Sequence, residues 1–316
     1  MLVAGSSVRA LTRRTPASPA EDTAARSLAH WSEEGRDEMK AFYAFAQLDY
    51  DLLAGVADWG SALGRAHERR GDAGPLGLLD VACGSGRFPS TLLTRADLSS
   101  LDEPGVAYDL LDPSPFSLAE AAGHLRAPLV PAARFETTLE DLDPAAGPWD
   151  VVWATHALYA LRPEALTAAA ERFVSALAPG GLGFLAQGAQ DGHYLTVYRC
   201  FLDGVRGGAG TPYLSGERVA NALRAAAEPL GWNLSQHMLS YEHVVGHDET
   251  GLLEGYLRRC LFDDSLTLAE MLAAPVLGPY LAGCRDGDAG AYRFSQTVVC
   301  LGLTPQGEAF PWTAAS

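Results

Sequence analysis

Short apolar runs alternate with stretches of helical period through the middle of the chain, a pattern expected of parallel strands linked by crossover helices. Strands are expected from Leu78 to Ala82, Val106 to Leu111, Arg134 to Thr138, Trp149 to Thr155 and Leu182 to Gln187. Between them, Phe88 to Ala96, Ser114 to Leu125 and Pro163 to Leu177 read as helices, the last stopped by Ala178-Pro179-Gly180-Gly181. Upstream, 24–70 is helical in pattern, with Leu28, Trp31, Met39, Phe42, Tyr43, Phe45 and Leu48 at core-facing spacings. Downstream, Gly204 to Gly210 reads as a flexible link and Gly216 to Leu230 as a helix stopped by Gly231. Two alternating strands follow, Leu234 to Val245 and Phe294 to Leu303, with a helix from Leu252 to Leu272 between them. The expected organisation is a disordered leader (1–23), one domain (24–305) with an N-terminal helical segment (24–70) and cap insertions (190–230 and 250–290), and a tail (306–316).

Charge and composition narrow the function. The 316 residues carry 23 Lys+Arg against 39 Asp+Glu, a net charge of −16, and no basic stripe is visible, so nucleic acid is not an expected partner. The 48% apolar content suffices for a core. No apolar run reaches the ~20 residues that span a bilayer. The five cysteines (83, 200, 260, 284, 300) are widely spaced and lack a C-x-x-C pair, which suggests neither a disulfide framework nor zinc. A cytoplasmic protein acting on a small molecule is expected. Oligomeric state is not legible.

The densest chemical signal is Leu78-Leu79-Asp80-Val81-Ala82-Cys83-Gly84-Ser85-Gly86-Arg87-Phe88. Its glycines allow a tight turn between strand and helix where backbone can approach a ligand. Pro89 and Ser90 stand where the dinucleotide fingerprint needs a third glycine, which disfavours nicotinamide and flavin cofactors. Asp112, at the tip of the next strand, can grip both hydroxyls of a ribose, or cap the following helix as Ser114 also can. An acid in Leu139-Glu140-Asp141-Leu142 can accept from an adenine amino group, or simply face water. His243 and His247 lie four apart, but Val244 replaces the glutamate of a zinc-protease motif and Gly246 intervenes, so this stretch reads as a polar strand end facing water.

In order and spacing, LLDVACGSGRF, AYDLLDPS, TTLEDL, WDVVWATHALY and LAPGG resemble the class I S-adenosylmethionine-dependent methyltransferases over roughly residues 76–190. The resemblance implies an α/β fold, a doubly wound, mostly parallel seven-stranded sheet with helices on both faces, antiparallel at its last strand, plus helical cap elements. A narrower likeness to the histamine N-methyltransferase family rests on SLAHWSEEGRDEMKAFY, LLDPSP, ATHALYALRPEALTAAAERFVSAL and CLFDDS. It implies cofactor contacts at Ala82, Asp112, Ser117, Thr155 and near Asp141, to which the glycine turn itself adds Asp80, Cys83, Gly84 and Gly86. The acidic substrate ligand of that family falls on Glu33, its glutamine on His156 and its asparagine on Asp263, with Tyr159 nearby. Two of those three differ in type, so histamine itself is not the expected acceptor.

The expected function is S-adenosylmethionine-dependent methylation of a small amine or amino-acid-like metabolite, N-methylation being favoured over O- or C-methylation. Glu33 and Asp263 would orient the acceptor and His156 accept a proton, although each also reads as an ordinary structural or solvated residue. Two alternatives are an azetidine-2-carboxylate synthase, which cyclises the cofactor and releases methylthioadenosine, and a non-catalytic cofactor-binding relative.

Overall fold

The computed structural model describes residues 19–71, 74–101, 103 and 105–313. Eight strands form one sheet: β1 (Leu76–Val81), β2 (Val106–Leu111), β3 (Leu129–Phe135), β4 (Trp149–Thr155), β5 (Leu177–Gly188), β6 (Trp232–Gly246), β7 (Arg285–Asp286) and β8 (Ala291–Pro305). Seven follow the order β3-β2-β1-β4-β5-β8-β6, with two-residue β7 pairing off β8. Pairing is parallel from β3 to β5, and β8 runs antiparallel to both β5 and β6. This is the expected mostly parallel, doubly wound α/β sheet.

The helices are α1 (Pro19–His30), α2 (Arg36–Gly55), α3 (Trp59–Arg70), α4 (Arg87–Arg95), α5 (Pro115–His124), α6 (Leu166–Ser175), α7 (His193–Gly204), α8 (Gly216–Ala227), α9 (Thr250–Leu261), α10 (Leu268–Ala273) and α11 (Leu277–Gly283). Alternation along each strand divides them between two cores. Val151 and Trp153 of β4 face Trp59, Phe88 and Leu118, whereas Val152 and Ala154 face Phe173, Val174 and Leu223. A third core lies among α7, α9 and α11, where Tyr198, Phe201, Tyr256 and Leu281 pack together.

Several boundaries differ from expectation. Strand β3 begins at Leu129, five residues early, because it is an edge strand whose largely exposed residues and Pro131 hide its period. The Ala178–Gly181 segment is no helix stop but a bulge inside β5: Trp149 pairs with Leu177 and Val151 with Leu182. The helix expected to run from Leu252 to Leu272 breaks at Phe262, whose φ of 47° is left-handed. Residues 1–18 of the expected leader lie outside the described residues, and Pro19–Thr23 belong to α1, with Thr23 buried.

Nor do residues 306–313 hang free. A Cβ on Gly302 would meet the Phe310 ring at 2.3 Å, so glycine is what admits that ring to the core beside Trp59 and Phe184. Trp312 packs against Phe310 with the rings tilted by 38°, and Thr313 Oγ1 donates to Gly55 O at 2.7 Å.

Candidate active site

At the carboxyl ends of β1, β2 and β4, on the side where the strand order reverses, a cavity of about 390 Å³ opens. Crevices at such a switch point are where open α/β sheets bind ligands, and the size suits a small molecule. Ala82, Cys83 and Gly84 line it from the glycine turn, Asp112 from the tip of β2, and Thr155 and His156 from the end of β4.

The turn is tight because Ala82, Gly84 and Gly86 all have positive φ (50°, 52° and 73°). A Cβ on Gly86 would come within 2.8 Å of Ala121 Cα, so glycine lets α4 and α5 meet. Asp112 ties the turn to the next loop, since Gly84 N donates to its Oδ2 at 3.0 Å and Ser114 N to its Oδ1 at 2.9 Å. Burial pushes its carboxyl up to about 6, against the pull of those two N–H groups. Ser114 is the helix cap, accepting from Ser117 N, so the two readings of Asp112 separate here.

Trp31 roofs the turn. Its ring would lie 3.3 Å from a Cβ on Gly84, and its carbonyl accepts a hydrogen bond from Ser114 Oγ.

Four of the expected cofactor contacts lie off the cavity wall, Gly86 among them because it packs against Ala121. Asp80 sits beneath it, 2% exposed, accepting from Tyr108 Oη at 2.7 Å, and burial pushes its carboxyl up to about 7. Ser117 is buried in the first turn of α5. Asp141 is exposed and accepts from Thr138 Oγ1, while Thr138, Leu139 and Glu140 line the cavity in its place.

A second, smaller chamber of about 70 Å³ shares Ser27, Trp31, Tyr50, His156, Ala157 and Ala160 with the first. Rings of Phe42, Tyr159, Tyr194, Tyr213 and Phe262 wall it, and Asp49 is its only acid among the described residues. His156 stands between the two spaces in a left-handed conformation, φ 53°. Such a conformation is costly for a residue with a Cβ and is concentrated at functional sites. Its Nδ1 is 2.7 Å from Tyr159 Oη, which also accepts from Gly188 N at 3.0 Å. Its Nε2 is buried with no hydrogen-bond partner among the described residues. Burial holds the imidazole below its usual range, against the pull of Asp49.

Sequence reasoning missed Asp49 and misjudged His243. Far from facing water, His243 is 2% exposed, and its Nε2 lies 2.6 Å from Asp49 Oδ1. By contrast, the other two expected substrate ligands do not line either space. Glu33 has its carboxylate held by Arg36 at 2.8 and 2.9 Å and its side chain 64% exposed. Asp263 lies 3.6 Å from Arg26 and accepts from Ser265. Only His156 and Tyr159 of the expected acceptor set come together.

Residues 79–182, about a third of the chain, match the family model described as "Methyltransferase domain". The stretch that carries the glycine turn, Asp112 and the tip of β4 thus matches a methyltransferase domain, an enzyme unit that uses S-adenosylmethionine. Solved structures of similar fold include a protein of Bacillus halodurans C-125 assigned as a methyltransferase (13% identity, 78% of this chain and 99% of that one, TM-score 0.49). Others are the plantazolicin methyltransferase BpumL with SAH (11%, 91% and 98%, 0.47) and the magnesium protoporphyrin IX methyltransferase of Synechocystis PCC 6803 with SAH (14%, 88% and 99%, 0.47). Comparison with the curated proteins finds no match. These likenesses do not reach the histamine N-methyltransferase-like subfamily. Among the described residues, no helix is long and apolar enough to cross a membrane.

The crevice suits that cofactor. Asp112 would offer an acceptor to sugar hydroxyls, Glu140 lines the wall beyond it, and Gly84 presents backbone without a side chain. When bound, S-adenosylmethionine supplies a methyl group on a sulfonium, which departs leaving its bonding pair on sulfur.

Proposed function

We propose that the protein methylates a compact amine or amino-acid-like metabolite at nitrogen, with the acceptor seated in the small chamber. The observation that carries this reading is His156, which lines both crevice and chamber and whose buried Nε2 has no hydrogen-bond partner among the described residues. The chamber's aromatic faces and its one carboxylate, Asp49, can receive a cation, with the Arg259 guanidinium on the same wall turned to the Trp31 ring and His30 O, and an amine reaches the protein as a cation at neutral pH. It must shed a proton before its lone pair can attack carbon. With Nδ1–H donating to Tyr159 Oη, the Nε2 lone pair of His156 takes that proton, and the electrons of the broken N–H bond stay on nitrogen. Burial keeps His156 neutral beforehand and thus ready to accept. The aromatic wall excludes water and holds the nucleophile in place, an effect worth on the order of 7–11 kcal/mol in well-aligned systems.

The test is incubation of purified protein with S-adenosylmethionine and a panel of small primary amines and amino acids, followed by mass spectrometry. Adenosylhomocysteine formed only with an acceptor, and an acceptor heavier by one methylene, is the expected result. Methylthioadenosine without any acceptor would replace this reading with cofactor cyclisation. Cofactor binding with no product would leave the non-catalytic relative.

A further inference from the structure

We propose that Asp49 and His243 form a buried hydrogen-bonded couple behind His156 that sets how tightly its Nε2 holds a proton. This rests on the reading of His156 as the base, and it assigns Asp49 and His243 as positioning residues.

Four elements converge on the couple. Asp49 on α2 is 2% exposed, and each of its oxygens is engaged. Oδ1 accepts from His243 Nε2, on β6, at 2.6 Å, and Oδ2 from Tyr194 Oη, on α7, at 2.6 Å. Tyr256 on α9 holds His243 from behind, its Oη 3.0 Å from Nδ1. Asp49 is therefore already saturated by partners other than His156. Yet the same Oδ2 lies 4.0 Å from His156 Nε2, too far for a hydrogen bond and close enough for a strong charge interaction in a desolvated site.

A merely structural histidine would turn this nitrogen to a partner. Instead Tyr159 fixes the ring through Nδ1, and the His156 backbone N–H, bonded to Ala186 O at 2.8 Å, fixes the strained turn. Nε2 is held facing a carboxylate it does not touch. A proton arriving there would be stabilised by Asp49, and its departure would leave Asp49 satisfied by His243 and Tyr194.

The carboxylate is kept ready for this. Burial opposes its charge, but His243, His156 and Tyr194 outweigh burial and hold it below the usual carboxylate range. The other groups around His156 are Tyr50, Tyr159, Tyr194, Tyr213, Cys260 and Arg259, with His193 beyond Tyr194 and Tyr241 beside His243. Burial pushes the five tyrosines Tyr50, Tyr159, Tyr194, Tyr213 and Tyr241 and the Cys260 thiol well up, so these remain neutral. It pushes His193 well down. Arg259 donates to His30 O and lies 4.0 Å over the Trp31 ring. Asp49 is the acid that faces His156.

The experiment is an NMR titration of labelled histidine side chains in the full chain saturated with adenosylhomocysteine, with the His156 signal assigned by its absence in His156→Gln. Asp49→Asn is expected to lower the His156 midpoint by roughly one unit or more, a tenfold or larger loss of proton affinity. Tyr194→Phe is expected to raise it, because Oδ2 loses the donor that competes for its charge. The opposite signs distinguish the couple from a packing defect, which would move both variants alike. Unchanged midpoints in variants that still bind adenosylhomocysteine, or shifts of the same sign, would overturn the proposal. Should Asp49→Asn not fold, the sign of Tyr194→Phe decides. The titration needs no acceptor: a failed amine screen with the predicted shifts intact would remove the transfer reading and leave the couple standing.

Discussion

The two adjoining spaces are built in opposite ways. The floor of the cofactor crevice is made of strand-tip loops that follow one another in the chain, roofed by Trp31 and residues of α1 and α2, and its key polar contacts join backbone N–H groups to one carboxylate. The inner chamber is made of side chains from α1, α2, α7, α9 and the β4 exit, and His243 of β6 stands behind its one acid. The first is backbone geometry fixed by the sheet. The second is an assembly of distant side chains, free to change with the acceptor while the crevice stays as it is.

If that division is right, damage to one space should spare the other. The largest effect is expected from His156→Gln, which should cut turnover by roughly 10²–10⁴ while adenosylhomocysteine affinity, measured by calorimetry, stays near wild type. An equal loss of cofactor affinity would show that the two spaces are not separable. Asp112→Ala should do the reverse. Losing a charged acceptor at about 1.5–3 kcal/mol predicts roughly ten- to two-hundredfold weaker cofactor binding in the same calorimetric assay.

A smaller effect follows from pH. Burial holds Asp112 at about 6, and hydroxyl donors favour its ionised form, so cofactor affinity should climb between about pH 5 and 7 and then level off. The stability of the ligand-free protein should move oppositely. Asp80, at about 7, and Asp112 both lie above their unfolded range, so the folded state holds protons that the unfolded chain has lost. That contribution is full below about pH 4 and disappears as pH rises through about 7, which a melting series would show. The least effect is expected from Glu33→Gln. Its carboxylate is on the surface beside Arg36, and turnover and affinity for the acceptor should not change.

The same division explains what could be read from the sequence. Strands β2 and β4 were legible to the residue because both are central and doubly buried, and their tips carry Asp112 and Thr155 with them. In the loop after β3, Glu140 lines the cavity and Asp141 does not. Glu140 and Asp141 are indistinguishable as letters, and only the course of an irregular loop turns one inward. Asp49 was invisible for a different reason. It sits in Asp49-Tyr50-Asp51, which resembles a solvated helix face, and its partner lies 194 positions away in the chain. Likewise, His243 on an alternating strand near a turn gives no sign that α2 and α9 will cover it. No local period encodes a contact between elements.

The seating of Phe310 against Gly302 carries a practical corollary for anyone handling the protein. A deletion reaching that ring would strip a cork from under Phe184 and Trp59 and leave aromatic surface open to solvent on the floor of the sheet, so shortened forms should precipitate before they lose any group that touches a ligand.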